Sequence, residues 1–272
     1  MNETFNISRF GKYFAFDLKQ MWHRNGKTSL MLGLCGLILY LAVVTISLVF
    51  SFHWQGPGIV PRAITFFLAY FVLVLYETRA YGHLTAKDDG SAYLMIPASA
   101  LEKTVSMVII GVFVLPLAFA AVYLSTDAVL ALVDPSVGDP LATGIGTVLA
   151  KFNELIASTG EEMNVSLGKI WFPLVLQMIL NLLFFLLCGL IFKKWKILGG
   201  FGIILALDLL VTNVVGLVFK TGDNAERFAG WVQNLGPQAF VDGSMVWASV
   251  VNGVVIIALL IAIYFRVKTL KH

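Results

Sequence analysis

Apolar and polar residues alternate along this chain in long blocks, not at the short periods of a soluble fold. Six apolar runs cover residues 29–52, 59–76, 104–126, 170–192, 199–219 and 244–265. Each is close to the ~20 residues that an α-helix needs to cross ~30 Å of hydrocarbon. The second run is the shortest and carries the polar Thr65. The polar stretches between them have patterns of their own. Residues 5–25 place Phe5, Phe10, Tyr13, Phe14, Leu18, Met21 and Trp22 at helical spacing, with Lys12, Lys19 and Arg24 largely elsewhere on the wheel. That pattern predicts a basic amphipathic helix lying in the membrane interface ahead of the first span. It either anchors the chain and sets its topology or also touches a partner subunit.

Residues 127–169 begin with Asp134-Pro135 and Asp139-Pro140 turns. Ile145, Val148, Leu149, Phe152, Leu155 and Ile156 follow, spaced for one amphipathic helix. A small extracytoplasmic helical cap is expected there. Residues 220–243 hold Phe228, Trp231, Val232, Leu235 and Phe240, aromatics suited to an interfacial helix or a shallow dip into the membrane, broken at Pro237. The fold class is all-α: a polytopic membrane protein forming a single transmembrane domain over residues 1–272, with six transmembrane helices, an amino-terminal interfacial helix and that cap.

Composition agrees with the blocks. Hydrophobic residues make up 58% of the chain and charged residues 13%, whereas soluble domains run nearer half and a quarter. Mean hydropathy is +0.85. The first 29 residues are polar and basic, and a secretory signal would need an earlier apolar stretch and a cleavage site, so none is expected. Orientation follows from Lys and Arg. With the amino terminus in the cytoplasm, fourteen of the nineteen cations fall on inner segments and five (Arg62, Lys151, Lys169, Lys220 and Arg227) on outer ones. Both termini are therefore expected in the cytoplasm, in a plasma membrane of the bacterial inner-membrane kind.

The longest inner connection, residues 77–103, mixes both signs in Glu77, Arg79, His83, Lys87, Asp88 and Asp89. Asp89-Gly90 is a turn signal. A short helix is expected around residues 81–87. Pro97 suits a helix start, and Ser99 with Glu102 has the spacing of a capping box, Ser-x-x-Glu, at the entry to the third span. A plain connection needs only a few residues. This one keeps Tyr93, Leu94, Met95 and Ile96 close to water, either as a docking surface or as groups seated in lipid headgroups.

Little in the chain points to catalysis. GxSxG, HExxH, a Walker lysine loop and paired carboxylates within a span are all missing. The histidines, His23, His53, His83 and His272, lie at membrane edges or in loops, and Cys35 and Cys188 lie in apolar runs without a CxxC partner. No enzyme activity, cofactor, metal or nucleic-acid partner is expected. Sequons at Asn2, Asn6 and Asn164 carry little weight. Asp208, near the middle of the fifth run, costs at least ~2.5–3.5 kcal/mol in hydrocarbon. Asn181 lies at similar depth on the fourth run. The pair reads either as an interhelical hydrogen bond or as a protonation or substrate site. Asn213 and Asn252 read as a second interhelical contact.

The order of these elements resembles the permease subunit of a type-2 ABC transporter: a basic amphipathic helix, six spans, cytoplasmic termini, and a long inner loop between the second and third spans. In that family a leucine-proline step and a small hydroxyl residue precede the third span. Here Met95-Ile96-Pro97 is followed by Ser99 and Glu102-Lys103. The resemblance implies that the loop forms a coupling helix docking on a separate ATP-binding cassette ATPase. Its partner-binding residues would be Glu77, Arg79, Tyr81, His83, Lys87, Asp88, Asp89, Tyr93, Met95, Pro97, Ser99 and Glu102. It implies as well a second permease chain, identical or related, and export as the activity. Two other readings stay open: a non-transporting assembly or anchoring protein, and an ion- or proton-coupled carrier using Asp208.

Overall fold

A computed structural model describes residues 5–50, 56–85, 95–158, 167–219 and 222–269, and every regular element among them is helical. The first helix, α1 (Ile7–Met21), starts at Asn6, whose side chain accepts hydrogen bonds from the backbone amides of Ser8 and Arg9. One of the three sequons is thus a helix cap. A π-helical turn, Trp22–Gly26, carries the backbone directly into α2 (Lys27–Gly33), and α3 (Cys35–Phe50) follows after a 47° bend beside Gly33. Then come α4 (Ile59–Ala80), a 3-10 turn (Gly82–Thr85), α5 (Ala100–Val108) and α6 (Leu115–Val133). The rest of the chain forms α7 (Leu141–Ser158), α8 (Leu167–Ile191), α9 (Lys196–Phe219), α10 (Gly222–Leu235) and α11 (Pro237–Thr269).

Five helices are long and apolar enough to cross a membrane: Ile59–Ala80, Ala100–Val133, Lys169–Ile191, Lys196–Leu217 and Gln238–Thr269. The bent pair α2–α3 adds a sixth if its halves form one span. These long apolar helices mark an integral membrane protein. Ala100–Val133 and Gln238–Thr269 run well past the expected boundaries, to 34 and 32 residues, or roughly 50 Å at ~1.5 Å per residue. They reach beyond the apolar layer at one or both ends. Between α5 and α6 the helix widens into a π segment, Ile109–Val114. Pro116 follows at once. It has no N–H to donate, and its ring excludes the carbonyl four residues back. A widened turn absorbs that conflict without ending the span.

The core lies where α4, the α5–α6 span and α8 meet. Leu73, Val74, Met107, Ile110, Phe119, Tyr123, Leu183 and Leu186 are nearly inaccessible there. Helices α4 and α8 approach closely at Gly189, where a Cβ would stand 2.6 Å from the Thr78 carbonyl oxygen. The outer helices are different: only 6% of the apolar window of α9, and the same share of α11, is buried within the chain.

Cations sort by end. Segments expected on the inner side collect at one end of the bundle, the basic end: α1, the end of α4, the start of α5, the α8–α9 turn and the end of α11. There Arg266 donates to the Leu190 carbonyl at 3.0 Å, closing the end of α8. The opposite end carries α7, packed on α4 and α6. Arg62 organises it. Its Nη1 donates to Asp127 at 2.8 Å, and its Nη2 donates to the carbonyls of Val137 and Asp139 at 3.0 and 2.8 Å. The other oxygen of Asp127 accepts from the Leu141 amide, the first of α7. Tyr123 donates to the Arg62 carbonyl. At this end, too, Lys169 of α8 pairs with Asp242 of α11. Gly236, with φ 80°, and Pro237 break α10 from α11 as expected.

Arg62 and Asp127 are 2% and 3% exposed. Removing one buried partner strands the other charge, at about 3–5 kcal/mol. Arg62→Gln is expected to lower thermal stability in detergent by that order, whereas Lys169→Gln, on an exposed pair, shifts it by less than about 1 kcal/mol. Parallel unfolding curves read by intrinsic fluorescence check the difference.

Candidate functional site

At the basic end two carboxylates, Glu102 and Asp17, draw in Ser99 and Tyr81 of the expected site residues. The first is Glu102. Helix α5 begins at Ala100 because Ser99 caps it. The Ser99 hydroxyl accepts from the Glu102 amide at 3.2 Å, and the Glu102 carboxylate accepts from the Ser99 amide at 2.9 Å. This is the capping box legible in the sequence. The same carboxylate also reaches across the chain. It accepts from the Asn6 amide at 2.8 Å, from Arg9 Nε at 2.8 Å and from Arg9 Nη2 at 2.7 Å. One side chain therefore closes the starts of α1 and α5 together. The charge-assisted bonds to Glu102 hold the Arg9 guanidinium firmly protonated, its pKa raised above the ordinary arginine value.

The second is Asp17. It lies in the buried stripe of α1, between Tyr13 and Met21. Its Oδ2 accepts from Ser106 of α5 at 2.5 Å and from Tyr81, beyond the end of α4, at 3.1 Å. Burial pushes its pKa above the usual carboxylate range, and the two hydroxyl donors oppose that rise. Sequence reasoning gave Asp17 no role. The i, i+4, i+8 spacing of Tyr13, Asp17 and Met21 was the available signal.

The remaining residues divide by burial. Glu77 is 2% exposed, and its Oε2 has no hydrogen-bond partner among the described residues. It lies against the π segment, so close that a Cβ on Gly111 would stand 2.9 Å from that oxygen. Tyr81, Ser99 and Glu102 are buried as well. Arg79, Met95 and Pro97 are exposed, Met95 at 83%. Of the short helix expected over 81–87, a 3-10 turn at Gly82–Thr85 is described, and His83 lies in it. Lys196, at the start of α9, donates to the Gly82 carbonyl and, at 2.8 Å, to Thr85. Lys87, Asp88, Asp89 and Tyr93 lie outside the described residues.

The intramembrane pairs are corrected. Asp208 is exposed on α9 and makes no hydrogen bond among the described residues, while Asn181 is half-buried and accepts from Gln177 of its own helix at 3.3 Å. The expected Asn181–Asp208 bond is not formed. Similar depth puts two residues at one level but leaves their rotation about each helix open. α8 turns Leu182, Leu183 and Leu186 to the core, and α9 meets α8 through Gly200 and Phe201. Asn213 fails in the same way. Its amide donates to Leu209 of its own helix at 2.6 Å and does not reach Asn252.

No family model, curated protein or solved structure matches the chain. Among the described residues, no cluster of His, Cys, Asp and Glu could hold a metal ion.

Two outcomes follow from the carboxylates. Ser99→Ala is expected to cost about 1 kcal/mol as a lost cap, and Glu102→Gln more than that, because it also releases Arg9 and the start of α1. Protease nicking near residue 9, compared between the two variants, separates them: only the Glu102 change should open that region. Asp17 sets a pH dependence. Its folded pKa is raised, so its ionisation is disfavoured in the folded state. Its contribution is fullest below the ordinary carboxylate range of about 4 and declines as pH rises above it. Asp17→Asn is expected to flatten the decline in melting temperature as pH rises above about 4. An unchanged slope would remove the role assigned to Asp17.

Proposed function

We propose that this chain is the membrane-spanning subunit of an ATP-binding cassette transporter of the type-2 kind, an exporter half coupled to a separate ATPase. The observation that carries the reading is the clasp at the basic end. Glu102 and Asp17 tie α1, the end of α4 and the start of α5 into one block. The connection between α4 and α5 emerges from that block, and α5 continues through the π segment into α6 without a loop. A push on the connection would be delivered to a rigid lever about 34 residues long.

The positive-inside rule puts the basic end in the cytoplasm, where an ATPase would dock. Both termini then lie on that side of a bacterial plasma membrane. Nucleotide hydrolysis is assigned to the partner. The burial of Glu77, Tyr81, Ser99 and Glu102 narrows the docking face. Tyr81, Ser99 and Glu102 hold the block together and Glu77 is buried against the π segment, which leaves Arg79, Met95, Pro97 and the residues 86–94 to meet the ATPase. A second permease chain, identical or related, would complete the pathway. It would also cover Asp208, a mid-span carboxylate that is exposed and unbonded among the described residues.

The test is copurification. The tagged full chain, extracted in mild detergent, is expected to bring an ATP-binding cassette ATPase with it. Met95→Asp and the double change Asp88→Lys/Asp89→Lys are expected to lower that recovery and the ATP turnover of the complex at least several-fold, without changing the melting temperature of the chain. Full association and turnover in both variants would sink the coupling role and favour an anchoring protein.

A further inference from the structure

The α8–α9 turn holds a feature that the coupling reading touches only through Arg79. A cavity of about 340 Å³ opens there between the end of α4 and the start of α9, lined among others by Arg79, Lys193, Lys196, Trp195 and Leu198. Three of those five side chains are cationic, and no acidic side chain among the described residues lines the cavity. Arg79 and Lys193 are exposed, and neither is paired with a carboxylate among the described residues. Lys196 is fixed by its bonds to Gly82 and Thr85. It fastens the wall of the cavity while adding its charge.

Two further observations give the site its chemistry. Trp195 sits in the turn at φ 57°, a left-handed conformation that side chains other than glycine and asparagine rarely adopt. That backbone turns its indole outward, 75% exposed, at the level where spans leave the membrane. Indoles at that depth favour the headgroup layer. Below the cavity, α9 presents an apolar rail. Leu198, Leu205 and Leu209 recur on one side of the helix and are 58%, 62% and 54% exposed. A ligand matching this surface has an anionic head the size of a phosphate group and at least one long apolar tail.

We propose that this cavity binds the phosphate of an anionic phospholipid, with Arg79 and Lys193 on the phosphate oxygens, the Trp195 ring over the glycerol region and an acyl chain along α9. Basic pockets between helix ends are the usual seat of such headgroups. The tail is what favours a lipid over free phosphate, because the rail continues the cavity into the apolar layer. The inference requires only that the basic end lie at a membrane surface, so it stands or falls apart from the ATPase reading.

Intact-mass spectrometry of the full chain released from detergent tests it, with phosphatidylglycerol, phosphatidylcholine or inorganic phosphate added in turn. One phosphatidylglycerol molecule is expected to stay bound at concentrations where phosphatidylcholine does not. Each juxtamembrane cation is worth about fivefold in such binding, so Arg79→Gln/Lys193→Gln is expected to weaken it about 25-fold. The conservative pair Arg79→Lys/Lys193→Arg should keep most of it. Lys12→Gln/Lys19→Gln removes two exposed cations from α1 and should change nothing. Equal loss in the α1 variant would mean diffuse charge attraction and would overturn the site. So would equal retention of phosphatidylcholine, or displacement of the lipid by millimolar inorganic phosphate.

Discussion

The carboxylate of Glu102 holds two helices by their first turns. The amides at a helix start have no partner within the helix, and a membrane-edge site supplies water only on one side. Glu102 meets that need twice, through Ser99 for α5 and through Asn6 for α1, and Arg9 compensates its charge. The consequence is mechanical. An interfacial helix is ordinarily free to slide on the membrane surface. Here it cannot move without carrying the start of the third span, and Asp17 repeats the constraint about two turns further along. The connection between α4 and α5 is rooted in this block, with Lys196 pinning its first turn from the side of α9.

The other end solves a similar problem with a charge pair. Arg62 and Asp127 are almost fully withdrawn from water, so every polar atom they leave unmatched would be costly. Val137, Asp139 and Leu141 supply backbone partners, which forces the chain after α6 to fold back over the start of α4 and fixes where α7 begins. The position of α7 therefore follows from the ion pair, and the helix needs little core of its own. Glu102 and Asp17 at one end and Arg62 and Asp127 at the other are thus bonded within the chain, while leucine, phenylalanine and valine dominate the core between them.

The long apolar helices were legible in the sequence because hydrocarbon thickness demands long apolar runs whatever the packing. The capping box was legible because its spacing is local, and the break at Pro237 because proline states its own constraint. The long-range partners were not. Arg62 and Asp127 are 65 residues apart, and Arg62 entered the sequence reading only as one cation in a topology count. Asp17 was legible in spacing but was overshadowed by the aromatic stripe beside it. The Asn181–Asp208 and Asn213–Asn252 pairings failed because depth is one coordinate of a helix and rotation is another. Apolar runs facing lipid and core alike carry almost no amphipathic signal from which to read rotation.

That rotation bears on the state in which the protein works. Helix α9 turns Asp208 away from its own bundle, and no hydrogen bond from the described residues reaches it. A lone chain in lipid would present this side chain to hydrocarbon near mid-depth, at a cost of about 2.5–3.5 kcal/mol or more. Snorkelling relieves such a cost near helix ends, and the short reach of aspartate gives little relief at the centre. A second chain against α9 would remove the exposure and hydrate or pair the carboxylate in a shared cavity. The same contact would cover a helix whose apolar surface is almost wholly unused within one chain. Apolar exposure alone would not argue for this, since lipid covers leucine as well as protein does. It is the carboxylate, set among leucines that lipid would accept, that favours an assembly of two.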